Sequence, residues 1–391
     1  MADISIKQKN VPELRFSEFE EGWRPKVLGN ITKIKMGHSP KSSNYTDDSE
    51  NMILVQGNAD LKGGTVLPRI YTKEVTQIAD KGDILLTVRA PVGEIGITQM
   101  EVCIGRGVSS IKGNKFIYYF LEKFHLQNKW EKFAQGSTFK AISGKDIRGL
   151  KLKIPSNDEQ QKIGDFFSKL DQQIELEEKK LDLLEEQKKG YMQNIFSQEL
   201  RFKDEDGNNY PEWEKKKLGD ISDFQNGKAH EKFVDKHANY VLINSKFISS
   251  EGTTKKLVNQ RLTPLYKEDI TIVMSDVPNG KALAKCFLVD EDERYTLNQR
   301  IGRIFNINGS PRFLFSNLNR NIQLLKYDNG VGQTNLKKSE ILAININYPD
   351  KKEQQKIGSF FQKLDKRIEL QSQKIEALKT QKQGFLRKMF V

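Results

Sequence analysis

The segment EQQKIGDFFSKLDQQIELEE, residues 159–178, is written again as EQQKIGSFFQKLDKRIELQS, residues 353–372. The likeness continues, with LDLLEEQKKGYMQNIF (181–196) answering IEALKTQKQGFLRKMF (375–390). Upstream the two halves match more faintly, in the same order along the chain. PELRF (12–16) answers QELRF (198–202), KVLGNI (26–31) answers KKLGDI (216–221), and KGDILLTV (81–88) answers KEDITIVM (267–274). GRGVSSI (105–111) loosely answers NQRIGRI (298–304), and LKIP (152–155) answers INYP (346–349). A period this long marks a duplicated domain rather than a solenoid. The chain must therefore fold as two copies of one plan, each a variable globular region followed by a nearly invariant helix.

Both helices start after a proline, with Ser156 and Asp350 as caps and Glu159 and Glu353 three residues on, the spacing of a capping box. Apolar residues then alternate by four and three: Ile163, Phe167, Leu170, Ile174, Leu181, Leu184, Tyr191 and Ile195. The second copy reads Ile357, Phe361, Leu364, Ile368, Ile375, Leu378, Phe385 and Met389. This is a coiled-coil seam. It is broken at Glu177 and Lys188, and at the matching Gln371 and Lys382. An antiparallel register that sets Glu177 opposite Lys382 and Lys188 opposite Gln371 pairs polar with polar. It also places Leu181 by Leu378 and Ile174 by Phe385, whereas a parallel pair would stack lysine on lysine. In such an arrangement ~38 residues would span roughly 57 Å, about 17 base pairs of B-form DNA at ~3.4 Å per step.

The globular regions carry short Val-, Ile- and Tyr-rich runs (MILVQG, DILLTV, YVLIN, DITIVM) broken by Gly, Pro, Asn and Ser, followed by helical stretches at 115–134 and 311–327. The fold class expected is α+β: two mixed α/β domains joined by two long antiparallel coiled-coil helices, with a pseudo-two-fold internal repeat. The boundaries expected are a first globular domain at 1–155, a central helical spacer at 156–198, a second globular domain at 199–349 and a C-terminal helical spacer at 350–391.

Among 391 residues, 64 Lys and Arg against 52 Asp and Glu leave a net charge of +12. That excess favours a polyanionic partner, nucleic acid first and a membrane surface second; the partner expected is double-stranded DNA. Two similar but non-identical basic modules suit a two-part, asymmetric DNA site, as symmetric dimers suit palindromes. The first 30 residues hold no apolar signal core and no run is long enough for a membrane span, so no membrane partner is expected. Cys103 and Cys286 lie far apart, outside any zinc or disulfide spacing, which fits a cytoplasmic protein.

No phosphate-binding GxxxxGK[ST] is present: SGKD (143–146) and NGKA (279–282) lack its spacing and final hydroxyl. There is no N/D-P-P-Y of the kind expected around a flipped adenine. His230 and His237 make a weak metal pair. No catalytic centre and no metal site is expected.

The paired EQQKIG(D/S)FF(S/Q)KLD starts, the QKKGYMQNIF and QKQGFLRKMF ends and the PELRF and QELRF openings resemble the DNA-specificity subunits of type I restriction-modification systems. The similarity spans essentially the whole chain. It implies that each globular domain is a target-recognition domain reading half of a bipartite site, with the helices setting the half-site spacing. It also implies two methylation subunits docked on the helices, forming an adenine-N6 DNA methyltransferase, and two restriction-translocation subunits on that core. S-adenosylmethionine, ATP and Mg²⁺ would belong to those partners, this chain carrying no cofactor. A duplicated coiled-coil scaffold for protein interactions, without specific DNA binding, is the other reading that the residues allow.

Base edges need Arg, Lys, Asn, Gln, Ser or Thr on loops, and phosphates need Lys, Arg or backbone amides. The DNA-binding candidates are Lys41, Ser43, Arg89, Arg106 and Lys140 in the first domain. In the second they are Lys228, Ser245, Lys246, Asn279, Lys281, Arg300 and Lys337. Arg106 and Arg300 could equally form internal salt bridges. The helix-pair seam comprises Leu170, Ile174, Glu177, Leu181, Leu184 and Lys188 with Ile368, Gln371, Ile375, Leu378, Lys382 and Phe385. Phe166 and Phe360, beside the seam, are candidates for partner docking or for seating each helix on its own domain.

Overall fold

The computed structural model describes residues 10–133, 141–278 and 280–391. Two compact units form: residues 1–179 with 373–391, and residues 180–372. Both long helices therefore contribute to each unit. The main strands of the first are β1 (Arg24–Val27), β2 (Ile34–Met36), β3 (Met52–Val55), β4 (Ile84–Thr87), β5 (Ile95–Ile97), β6 (Val102–Ile104), β7 (Val108–Ile111) and β8 (Lys151–Ile154). Its helices include α1 (Lys115–Leu126) and the start of α2 (Asn157–Phe196). The second unit repeats the plan with β9 (Glu214–Lys217), β10 (Asp223–Asn226), β11 (Tyr240–Ile243), β12 (Ile270–Val273), β13 (Cys286–Leu288), β14 (Tyr295–Leu297), β15 (Ile301–Phe305) and β16 (Asn345–Tyr348). Its helices include α3 (Pro311–Leu318) and the start of α4 (Lys351–Lys388).

In the first unit β2, β7, β4 and β5 run side by side in one sheet, while β3 and β6 pair parallel in a second. The second unit matches this with a β10-β15-β12-β13 sheet and a parallel β11·β14 pair. Before each long helix the chain passes through an antiparallel clamp, β1·β8 (Arg24 opposite Ile154) or β9·β16 (Glu214 opposite Tyr348). The expected mixed α+β plan with two long helices is what the chain adopts. Among the described residues no helix is long and apolar enough to cross a membrane.

The repeated EQ dipeptide anchors each helix. Glu159, 1% exposed, accepts from Arg15 Nε and Nη2, both at 2.7 Å, and from Trp23 Nε1 at 3.2 Å. Glu353, fully buried, accepts from Arg201 Nη2 and Trp213 Nε1, each at 2.8 Å, and from Arg201 Nε at 3.3 Å. The expected capping boxes therefore form on one side only. Ser156 Oγ accepts from Glu159 N and Asp350 Oδ1 from Lys352 N, but the glutamates turn inward to the Arg of the upstream ELRF motif. A buried carboxylate gains more from charge-assisted bonds than from capping one amide. Beside it, Gln160 Nε2 donates to Pro155 O and Gln354 Nε2 to Pro349 O.

The 4-3 positions are the buried or half-buried ones of both helices, and the helices pack antiparallel within each unit. In the first unit Phe166 meets Phe385, Glu177 pairs with Lys374, Glu178 with Lys379, and Asp171 with Lys382. In the second, Tyr191 meets Phe360 and Lys188 pairs with Asp365. The expected register is corrected: Glu177 meets Lys374 rather than Lys382, and Lys188 meets Asp365 rather than Gln371. The slip amounts to roughly two helical turns. Its cause is that polar breaks in the seam need not face each other. Lys382, 9% exposed, is satisfied at 2.6 Å by Asp171, just off the seam, and at 2.7 Å by Glu122 on α1.

The core of the first unit joins Trp23, Phe116, Tyr119 and Phe167 to Met389 and Phe390 from the end of α4. That of the second joins Ile195 at the end of α2 to Phe313, Ile357 and Phe361. Gly164 and Gly358 let these layers touch. A β-carbon on Gly164 would lie 2.7 Å from Lys115 Cβ, and one on Gly358 2.9 Å from both Arg312 Cβ and Phe313 N. Gly190 and Gly384, farther along the helices, face open space.

Two outcomes follow. G190A and G384A should each stabilise by up to ~1 kcal/mol through helix propensity, whereas G164A and G358A should destabilise by about 1–3 kcal/mol through overpacking, measured as shifts in urea midpoint. The second concerns Lys382. Burial raises the pKa of Glu122 and the Lys382 ammonium opposes that rise. A carboxyl whose folded pKa lies above its unfolded value stabilises the fold when protonated, a contribution lost as pH climbs through the folded value. K382M should therefore cost about 3 kcal/mol at pH 8, and the deficit against wild type should shrink at pH 5, read from paired thermal melts.

Candidate nucleic-acid interface

In the first unit the turn from β6 to β7, residues 105–107, is held by main chain on every side. Gly105 N donates to Val55 O at 2.8 Å, Val88 N to Gly107 O at 2.8 Å, Gly37 N to Val108 O at 2.8 Å, and His38 N to Ile104 O at 2.9 Å. Arg106, at the tip, donates its own N–H to Ser39 Oγ at 3.0 Å. Beside it lies a cleft of about 390 Å³ lined by Ser39, Ser42, Tyr45, Gln56, Arg89 and Arg106. Asp60, 6% exposed, accepts from Gln56 N at 2.7 Å and Gly57 N at 3.2 Å and so fixes the cleft's lip.

Arg89 and Arg106 are exposed, and neither guanidinium has an ion pair or hydrogen bond among the described residues. The salt-bridged alternative for Arg106 is not what the fold adopts. Lys41 and Ser43 are exposed next to the cleft. The Lys41 backbone N–H and then the Asn44 amide hold Glu74 below the usual carboxylate range. Lys140 lies outside the described residues.

The second unit builds the equivalent turn, residues 298–300, between β14 and β15. Asn298 N donates to Ile243 O at 3.0 Å, Met274 N to Arg300 O at 3.0 Å, Gly227 N to Ile301 O at 3.0 Å, and Lys228 N to Leu297 O at 3.2 Å. Each bond has its counterpart in the first unit, which aligns Gln299 with Arg106 and Arg300 with Gly107. Gln299 Nε2 donates to Glu231 Oε1 at 2.9 Å. Arg300 is exposed, has no ion pair among the described residues and holds a left-handed φ of 66°. A side chain in that region costs energy unless a turn or a function requires it.

Lys228 is exposed beside this turn, and Ser245 and Lys246 open a short helix, Ser245–Ser249, capped by Asn244. Lys281 is exposed near Asp276, whose carboxylate gathers the N–H groups of Val277, Ala282 and Leu283. Lys337 is exposed at the cap of the helix Lys338–Leu342. Asn279 lies outside the described residues. His230 is fully buried: Nδ1 donates to Lys228 O at 2.7 Å, leaving Nε2 to accept from Leu262 N at 3.3 Å. It therefore shapes the base of the Lys228 loop.

Phe166 packs edge-to-face with Phe16, Phe167 and Phe385, and Phe360 with Tyr191, Phe202 and Phe361, so both seat the helices within their own units. Cys103 and Cys286 are free and buried, and burial pushes the Cys286 thiol up. At the second turn the sequence candidate was Arg300 and not its neighbour Gln299. The signal for Gln299 was the alignment of GRGVSSI with NQRIGRI, which sets it against Arg106.

Comparison with known proteins bears on this arrangement. Residues 20–186 and 210–380 match the family model described as type I restriction modification DNA specificity domain. The putative type I restriction enzyme MjaX specificity subunit of Methanocaldococcus jannaschii is 34% identical over 206 residues, 51% of this chain and 48% of that protein. The MjaIX specificity subunit of the same organism is 30% identical over 39% of this chain and 38% of its own length. The chain thus spans about half or less of these two relatives. The MjaVIII specificity subunit aligns over 97% of this chain and 95% of its own length at 24% identity. In fold, the chain is similar to the crystal structure of a type I restriction-modification S subunit from M. genitalium, with a TM-score of 0.62 at 18% identity, covering 97% of this chain and 99% of that one. With both repeats matched, the chain belongs to the type I restriction-modification DNA specificity family.

Proposed function

We propose that this chain is the non-catalytic DNA-specificity subunit of a type I restriction-modification enzyme. Each unit reads one half of a bipartite, asymmetric site through the turn and cleft described above. The two long helices set the half-site spacing and dock two methylation subunits, to which two restriction-translocation subunits attach. S-adenosylmethionine, ATP and Mg²⁺ are held by those partners, and the complex works in the cytoplasm. The observation that carries the reading is the pair of homologous turns, each fixed by main chain and each presenting guanidinium groups with no acidic partner among the described residues. Cations left unpaired beside rigid loops suit an anionic partner supplied from outside. The charge of +12 adds long-range attraction to it.

Binding of the full chain to duplex DNA should weaken about a thousandfold or more between ~50 and ~200 mM salt if some six or more phosphates are neutralised. A two-part sequence should retain a specific advantage throughout, measured by fluorescence anisotropy against scrambled duplexes; equal affinity for both would overturn the reading. R89A should lower specific affinity without altering assembly. R300G should do the same while raising stability by up to ~1 kcal/mol, because glycine carries no left-handed penalty.

A further inference from the structure

The two turns differ where their scaffolds agree. The four shared main-chain hydrogen bonds place Arg106 and Gln299 at the same point of the same turn. Their flanks differ in step. Ser42 opens the 3-10 turn beside Arg106, whereas Glu231 opens the matching turn beside Gln299 and accepts from its amide at 2.9 Å.

A carboxylate this close to the tip repels a phosphate, so the second turn is built to meet a base edge and not the backbone. With one Nε2 hydrogen engaged by Glu231, Gln299 keeps its other N–H and its carbonyl oxygen. That donor–acceptor pair matches N7 and N6 of adenine in the major groove. Arg106 offers only donors, in a planar fork, which match O6 and N7 of guanine. Its backbone is pinned through Ser39, and no acid competes for the guanidinium among the described residues.

Resting on the function proposed above, we propose that Arg106 and Gln299 are homologous specificity-determining residues. The half-site of the first unit carries a guanine at the step this turn contacts, and that of the second unit carries an adenine at the equivalent step. Because the tip side chain is not needed to hold the turn, exchanging these residues changes the base read and leaves the fold intact.

The test is selection from a randomised duplex library with the full chain, co-purified with its methylation subunits, followed by sequencing of the bound pool. R106Q should convert one guanine to adenine in one half-site only, with about tenfold preference. Q299R combined with E231S, which removes the carboxylate that would pair with the new guanidinium, should make the reverse change in the other half-site alone. R106K separates base reading from phosphate contact: it should lose the guanine preference, whereas a phosphate contact would tolerate the substitution. A wild-type consensus that R106Q and the Q299R/E231S double variant leave unchanged overturns this inference only. A wild-type pool with no two-part consensus overturns the specificity-subunit reading and this inference with it.

Discussion

Each unit depends on one buried carboxylate. Removing Glu159 or Glu353 from water costs several kcal/mol unless its oxygens are met by donors. Three N–H groups meet each: two from the Arg of ELRF and one from a Trp about ten residues later. That constraint draws the segment before β1 or β9 against the first turn of the long helix. The neighbouring glutamine extends it, with Gln160 Oε1 accepting from Asn114 at the cap of α1 and Gln354 Oε1 from Ser310 N at the cap of α3. Direction of the long helix, seat of the short helix and closure of the β-clamp are thus set by two adjacent side chains.

The helix seam adds a second layer that uses charge as well as apolar burial. Asp171 with Lys382 and Asp365 with Lys188 are the same pair written in the two halves. Each acid sits one position past a seam leucine, so it reaches the lysine that interrupts the partner's apolar repeat. In the first unit Glu122 joins, and Tyr119, on the turn before it, donates to Asp171 at 2.8 Å. Burial and the Asp171 charge push that tyrosine's pKa up, so its hydroxyl remains a donor at neutral pH. These pairs fix register where Leu and Ile alone would allow sliding.

The proposed DNA-reading side chains lie where the hydrogen bonds of the scaffold are made by main chain. The turns at 105–107 and 298–300 are held by backbone amides and carbonyls, with Gly107, Gly37 and Gly227 giving the close approach of main chain to main chain. The tip side chains of Arg106 and Gln299 take no part in those main-chain bonds and can therefore differ between halves. The repeated helices tolerate little change for the opposite reason: their glutamates, glutamines and close-contact glycines are each met by a specific partner.

Much of this was legible in the sequence because duplication exposes constraint. What stayed nearly identical, EQQKIG and ELRF, is what the buried network uses; what diverged lies on the loops. The duplicated α+β plan and the antiparallel seam followed from repeat and periodicity. The register did not, because the partner of Lys382 includes Glu122, far away along the chain and outside any helix pattern. The inward turn of Glu159 and Glu353 was equally hidden, since a capping box and a buried ion pair share one spacing. At the second turn the repeat alignment already set Gln299 against Arg106, but the choice of a charged residue favoured Arg300, and the main-chain bonds of the turn decide for Gln299. Local pattern determines which residues form helix and which face is apolar, because both depend on neighbours three and four apart. Only tertiary structure decides which distant donor meets a buried charge and which residue of a loop stands at its apex.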